Sequence, residues 1–288
     1  MFLATLPPLL NGDPECGSMN LLVSNSGHDF MQAAAIASLI LILMFDQSYA
    51  DDQPGTLGLS KNPGATHLSL SIEGQEGLSL AIDILPYLST NCSTAHISFV
   101  DLTDHSALPI WKLRKLDSIW LRRCSINAGT FASAKYSEVN MVRLEDCPID
   151  SSVIRSLEKL NRLHVLSLQN TRCQTSHFNE LLKLKHLNAL AIESSNVHSK
   201  LLKSLPLLTT VKNLSIAGNP ITDEGIPSLE RWNWLDSLDL SGTMITDKSV
   251  ASISKLRQLR GLSLIDTLIS DKGIRIIELA IPDCNVLY

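Results

Sequence analysis

Residues 211–234 read VKNLSIAGNPITDEGIPSLERWNW, residues 235–258 read LDSLDLSGTMITDKSVASISKLRQ, and residues 259–282 read LRGLSLIDTLISDKGIRIIELAIP. Residues 283–288, DCNVLY, begin the pattern again. The lines superimpose at a period of 24 residues. Apolar residues occupy positions 1, 4 and 6: Val211, Leu214 and Ile216; Leu235, Leu238 and Leu240; Leu259, Leu262 and Leu264. Position 9 is Asn219, Thr243 and Thr267, and position 11 is Ile221, Ile245 and Ile269. A repeat in this range decides the fold before any other signal, because one such unit cannot bury its apolar face alone.

Positions 4 and 6 alternate with 3, 5 and 7, the period of a strand with one face inward. Positions 16, 19 and 22 are apolar as well, as in Val250, Ile253 and Leu256, a step that suits a helix on the other side of the coil. Asp223, Asp247 and Asp271 at position 13 sit where such a helix begins, where a carboxylate caps free amides and complements the dipole. Position 9 turns inward, so its polar atom is expected to bond the backbone of the next coil.

These lines resemble the leucine-rich repeat family, whose signature is L-x-x-L-x-L-x-x-N/C-x-L. The Ile221 to Gly225 continuation, ITDEG, is similar to the subtype with Cys or Thr at position 9. The resemblance covers the back three-quarters of the chain. It implies an α/β right-handed solenoid with a concave parallel β-sheet and short convex helices. It leaves function open, since one solenoid hosts many activities.

Upstream strands are expected to start at Ala65, Thr94, Leu116, Val139, Leu163 and Leu187, spaced 29, 22, 23 and then 24 residues. Residues 65–288 therefore form one repeat domain of about nine repeats. Asp283 to Tyr288 closes it as a terminal capping strand, with Val286 and Tyr288 inward. Residues 51–64, with Pro54, Gly55, Gly58, Pro63 and Gly64, read as a linker. Residues 1–50 read as a signal peptide or a mis-assigned leader. The hydrophobic region at 33–45 is too short for a comfortable membrane span and is followed by Ser48-Tyr49-Ala50, a small-x-small cleavage site. The product is expected to be exported or held in a cell envelope, or cytoplasmic if the leader is no signal. It meets a membrane only through an uncleaved leader.

The 288 residues carry a net charge of −5; residues 1–60 hold six acids and no Lys or Arg, so the remainder is +1. A near-neutral solenoid argues against nucleic acid as a partner, which requires a clustered basic footprint. The six cysteines include no C-x-x-C. Cys124 and Cys147 fall at position 9 of successive repeats and Cys173 at position 11, where thiols act as small apolar residues. A disulfide between Cys124 and Cys147 is the less favoured reading. His67 and His96 fall at position 3 of successive early repeats, and two histidines alone do not make a metal site. The sequence contains no phosphate loop, nucleophile elbow or H-E-x-x-H, so no enzyme, cofactor or metal is expected. The sequons at Asn91 and Asn213 matter only in a glycosylating pathway.

The outward positions 3, 5 and 7 carry the functional signal. The C-terminal repeats present mostly Ser, Ala and Gly, whereas Trp120, Arg122, Met141, Arg143 and Glu145 crowd two adjacent repeats. Trp and Arg together have the composition of a binding hot spot. The expectation is a non-catalytic protein-recognition module that takes a protein or extended peptide on Trp120, Arg122, Met141, Arg143, Glu145, Gln169, Glu193 and Asp239. The alternatives are a substrate-receptor arm of a ubiquitin-ligase-like complex and an envelope structural protein.

Overall fold

A computed structural model describes residues 57–60, 68–85, 92–103, 109–134 and 137–288. The expected leader, with its hydrophobic run at 33–45, and His67 lie outside the described residues. The strands are β1 (Leu57–Ser60), β2 (Leu68–Glu73), β3 (Cys92–Ser98), β4 (Ser118–Arg122), β5 (Met141–Glu145), β6 (Val165–Gln169), β7 (Ala189–Glu193), β8 (Asn213–Ser215), β9 (Ser237–Asp239), β10 (Gly261–Ser263) and β11 (Asn285–Leu287). They form one sheet in sequence order. Every pair from β2 to β11 is parallel. The connections are 3₁₀ turns such as Ile226–Arg231 and the short helices α1 (Gly74–Ile84), α2 (Ser151–Ser156), α3 (Thr175–Leu181), α4 (Ser199–Lys203), α5 (Val250–Ile253) and α6 (Asp271–Ala280). This is the stacked α/β solenoid that the 24-residue lines predict.

Each inward strand position is sealed by the coils on either side. Leu238 pairs with Leu214 and Leu262, and all three are buried. Ile226, Leu229, Val250, Ile253 and Leu256 cover them from the helical side, also buried. One core runs from Leu70 to Ile281, so stability is close to a sum of neighbour interactions.

Two early strands differ from the expected register. Ser69 pairs with Thr94, Thr94 with Ser118 and Ser118 with Met141, so the coils repeat after 25, 24 and 23 residues. Ala95 and Ile97 are the inward pair of β3, and Leu70 and Ile72 that of β2. A strand alternates every two residues, so a slip of two leaves each side chain on its own face and is invisible to the pattern. The small Ala95 in a leucine place hides the true start at Cys92. His96 is consequently in the row of Trp120, not one row earlier.

The two ends also depart from expectation. Leu57–Ser60, within the expected linker, pairs antiparallel with β2 and extends the sheet. At the other end β11 is parallel as expected, but Tyr288 is 68% exposed instead of inward.

The position-13 acids do not cap their own turns. Thr246 caps the turn Asp247–Ser249, and Ser270 caps α6 by accepting from the Gly273 amide. Asp247 reaches forward instead, accepting from the Ser270 amide at 2.8 Å and its hydroxyl at 2.7 Å. Asp150, one position earlier in its coil, does cap its helix, through the amides of Ser152 and Val153.

Position 9 is inward as expected, but where it reaches another coil, at Asn219, Cys124 and Cys147, it bonds backward, while Thr243 and Thr267 bond Leu240 and Leu264 of their own coil. Asn219 Oδ1 accepts the amides of Ser195 and Val197 at 3.0 and 2.9 Å, and Nδ2 donates to the Ile192 carbonyl at 2.6 Å. Cys124 and Cys147 donate to Ile97 and Leu121 in the same way. Both thiols are buried and unbonded to each other, as are Cys92 and Cys173.

Candidate functional site

The turn after each strand sets the geometry of the outward face. Position 8 of every coil from β3 to β10 has positive φ: Phe99, Arg123, Asp146, Asn170, Ser194, Gly218, Gly242 and Asp266. The left-handed residue folds the chain inward, and its amide donates to the preceding residue of the next coil, as Phe99 to Arg122 and Arg123 to Glu145. Every strand therefore ends at the same height, and equivalent outward residues stack one parallel strand apart.

In the position-5 row His96, Trp120 and Arg143 are consecutive. The His96 ring lies edge-on to Trp120 with centroids 4.7 Å apart, and the Arg143 guanidinium lies over the indole, 4.3 Å from its centroid. Arg143 also donates to Gln169 and lies 3.5 Å from Glu145, which approaches Arg122 at the same distance. Glu145 thus sits between two guanidiniums. Burial holds the His96 imidazole below its ordinary pKa.

Two donors in this cluster have no acceptor among the described residues. The Trp120 Nε1 and Arg143 Nε atoms are buried and make no hydrogen bond. A buried donor without a partner costs about 1–3 kcal/mol, and native structures contain few of them.

The structure brings Trp120, Arg122, Arg143, Glu145 and Gln169 together. Met141 heads the neighbouring row, 39% exposed. Glu193 is adjacent to Gln169 in the ladder, with its carboxylate accepting from Ser215 Oγ at 2.7 Å. Asp239 lies on β9, three strands beyond Gln169, and is occupied by the amide and hydroxyl of Ser241. Trp120 itself is half-buried between His96 and Arg143 and is not the fully exposed aromatic that its position implies. Sequence reasoning missed His96 as its neighbour because of the register slip, and it missed Phe99 and Arg123 beside it. The Gly218, Gly242 and Asn170 of the same column were the available signal.

Among the described residues no group of three or more His, Cys, Asp or Glu side chains is placed to hold a metal ion. A groove of about 420 Å³ lies by Lys212, Trp234 and Arg257, away from this row. No helix among the described residues is long and apolar enough to cross a membrane.

The coil geometry defines a leucine-rich repeat solenoid. No family model and no curated protein matches the chain. Among solved structures it is similar to an internalin (inlF) from Listeria monocytogenes, with 16% identity and a TM-score of 0.36 over 77% of this chain and 86% of that one. It is also similar to TLR13 in the TLR13–ssRNA13 complex, with 19% identity and a TM-score of 0.47 over 74% of this chain and 29% of the TLR13 chain. The fold rests on the coil geometry.

Proposed function

We propose that this chain is a non-catalytic recognition module that binds a protein or extended peptide on the outward sheet face at β3 to β6. The observation that carries the reading is the pair of buried, acceptor-less donors on Trp120 and Arg143. They lie beside aromatic and guanidinium groups of the kind that dominate protein interfaces. A partner carbonyl or carboxylate supplies the missing acceptor once the Arg143 side chain shifts. The remainder of the face, from Ala189 to Ser263, is mostly small and polar and acts as a spacer.

A photo-crosslinking residue at Met141 tests this. It is expected to trap a partner that the same residue at Ala217, three strands away, does not. Equal trapping at both places, or none at Met141, overturns the reading. Export belongs to the same proposal and is supported by the 33–45 run followed by Ser48-Tyr49-Ala50. A secretion reporter fused to residues 31–60 decides it, and an uncleaved cytosolic product rules it out.

A further inference from the structure

The strands from β2 to β11 are parallel, so the links that enter them line one edge of the sheet and the links that leave them line the other. The two edges differ in sign. From each convex element to the next strand, the described residues include nine Lys or Arg and four Asp or Glu. From each strand to the next convex element they include two Lys or Arg and six Asp or Glu. The entering edge thus has five positive charges in excess, and the leaving edge four negative ones. The charged residues at the adjoining ends of the strands and convex elements reverse neither sign. The near-neutral balance of the repeats is a cancellation between two edges.

Pairing within each edge does not remove the excess. Arg162 pairs with Glu138 of the same edge, and Lys183 and Lys255 pair with Glu180 and Glu230 of the convex elements. Lys212 and Arg257 donate to the carbonyls of Trp234 and Ala280, which leaves their charge in place. Lys185 and Arg260 are exposed, with no carboxylate partner among the described residues. On the leaving edge Asp146 meets Arg123. Asp150 and Asp223, however, accept from neutral amides and hydroxyls, and Glu224 and Asp266 are exposed.

We infer that copies of this chain associate edge to edge, with the entering edge of one against the leaving edge of the next. Both edges advance by the same step per coil, one strand spacing of about 4.8 Å, so opposite charges face each other over several coils. The molecule carries both signs on matching rigid lines, which makes a second copy the complementary partner. The contact is heterologous: each pair leaves one free edge of each sign, so the row grows instead of closing as a dimer. The concave face stays open, and the association is independent of the recognition reading above. Exposed ion pairs are individually weak and screened by salt, so the row forms at low ionic strength and high protein concentration.

Sedimentation velocity of the full chain tests this at about 0.01 M and about 1 M salt, between which the screening length falls from about 30 to about 3 Å. Species larger than a dimer are expected at low salt, and monomer at high salt. Lys185→Glu with Arg260→Glu blunts the entering edge; Glu224→Lys with Asp266→Asn blunts the leaving edge, asparagine being tolerated at the left-handed Asp266. Each double variant alone is expected to sediment as a monomer at low salt, with Tm matching wild type. Mixed, they are expected to form a one-to-one complex that grows no further, because only one intact contact is available between them. A wild-type chain that stays monomeric at low salt overturns the inference, as does an assembly that survives 1 M salt or a mixture that does not combine. Monomeric protein that binds a fluorescent single-stranded oligothymidylate at low salt, and loses it in Lys185→Glu with Arg260→Glu, gives the entering edge to nucleic acid and overturns it as well.

Discussion

Asp223 holds Thr246 across the gap between coils: one carboxylate oxygen accepts the Thr246 amide at 2.8 Å, and the other accepts its hydroxyl at 2.8 Å. Ser249 donates to the same carboxylate at 2.5 Å. Ser199 holds Thr222, and Asp247 holds Ser270, in the same relation. The acid that looks like a helix cap in one coil is a strut to the next.

These struts make the solenoid sensitive to acid. Burial raises the pKa of Asp223, but the bonds from Ser249 and Thr246 outweigh it and leave the carboxyl below its ordinary value. The bonds from Ser270 depress Asp247, and those from Ser152 and Val153 depress Asp150. A depressed folded pKa contributes stability above the unfolded value, near 3.9, and loses it as pH falls through the folded value. Tm is therefore expected to hold from pH 7 to about 5 and to drop below about pH 4. Asp223→Asn should cost about 1 kcal/mol at pH 7, with the difference from wild type shrinking as pH falls below about 4. A constant difference across that range in thermal melts refutes the linkage.

Asn219→Leu should be among the most damaging single substitutions. It leaves the amides of Ser195 and Val197 buried without an acceptor. Roughly 3 kcal/mol of stability should disappear, measured by urea unfolding. Thr243→Val, which removes a bond within its own coil to Leu240, should cost no more than about 1.5 kcal/mol.

Gly218→Val should destabilise for two reasons that add. The residue is at φ +67°, and a Cβ would lie 2.6 Å from Ser194 Oγ. A loss of about 2 kcal/mol or more is expected in urea unfolding, and no loss would exclude the left-handed turn there.

Trp120→Phe removes the orphaned N–H and keeps most of the ring. It should leave Tm unchanged or raise it slightly, because a buried donor without a partner is lost. Trp120→Ala should lower Tm as well as binding, since His96 and Arg143 both pack on the indole. A Tm drop for Trp120→Phe would show that Nε1 has an acceptor within the chain.

The buried thiols should be silent. Burial pushes Cys92 and Cys173 up to about 11. The neighbouring Cys147 sulfur, followed by burial, pushes Cys124 up further. Iodoacetamide at pH 8 should label none of Cys92, Cys124 and Cys173 in the native protein and all three in urea, by peptide mass mapping. Rapid native labelling of Cys124 would refute its inward placement.

The sequence by itself determined the coil. Apolar residues at positions 1, 4, 6 and 11, with a hydroxyl, amide or thiol at 9, can bury their faces only by stacking, and that dictates a parallel sheet, one core and the outward rows. Only the tertiary structure decided which row each early residue joins. A two-residue slip in β2 and β3 changes no face, so the choice waited on inter-strand hydrogen bonds. The same applies to the partner of each polar side chain. Whether Asp223 caps its own turn or braces the next coil depends on where Thr246 lies, 23 residues away. Local pattern fixes direction across the sheet, and only packing between coils fixes what each group meets.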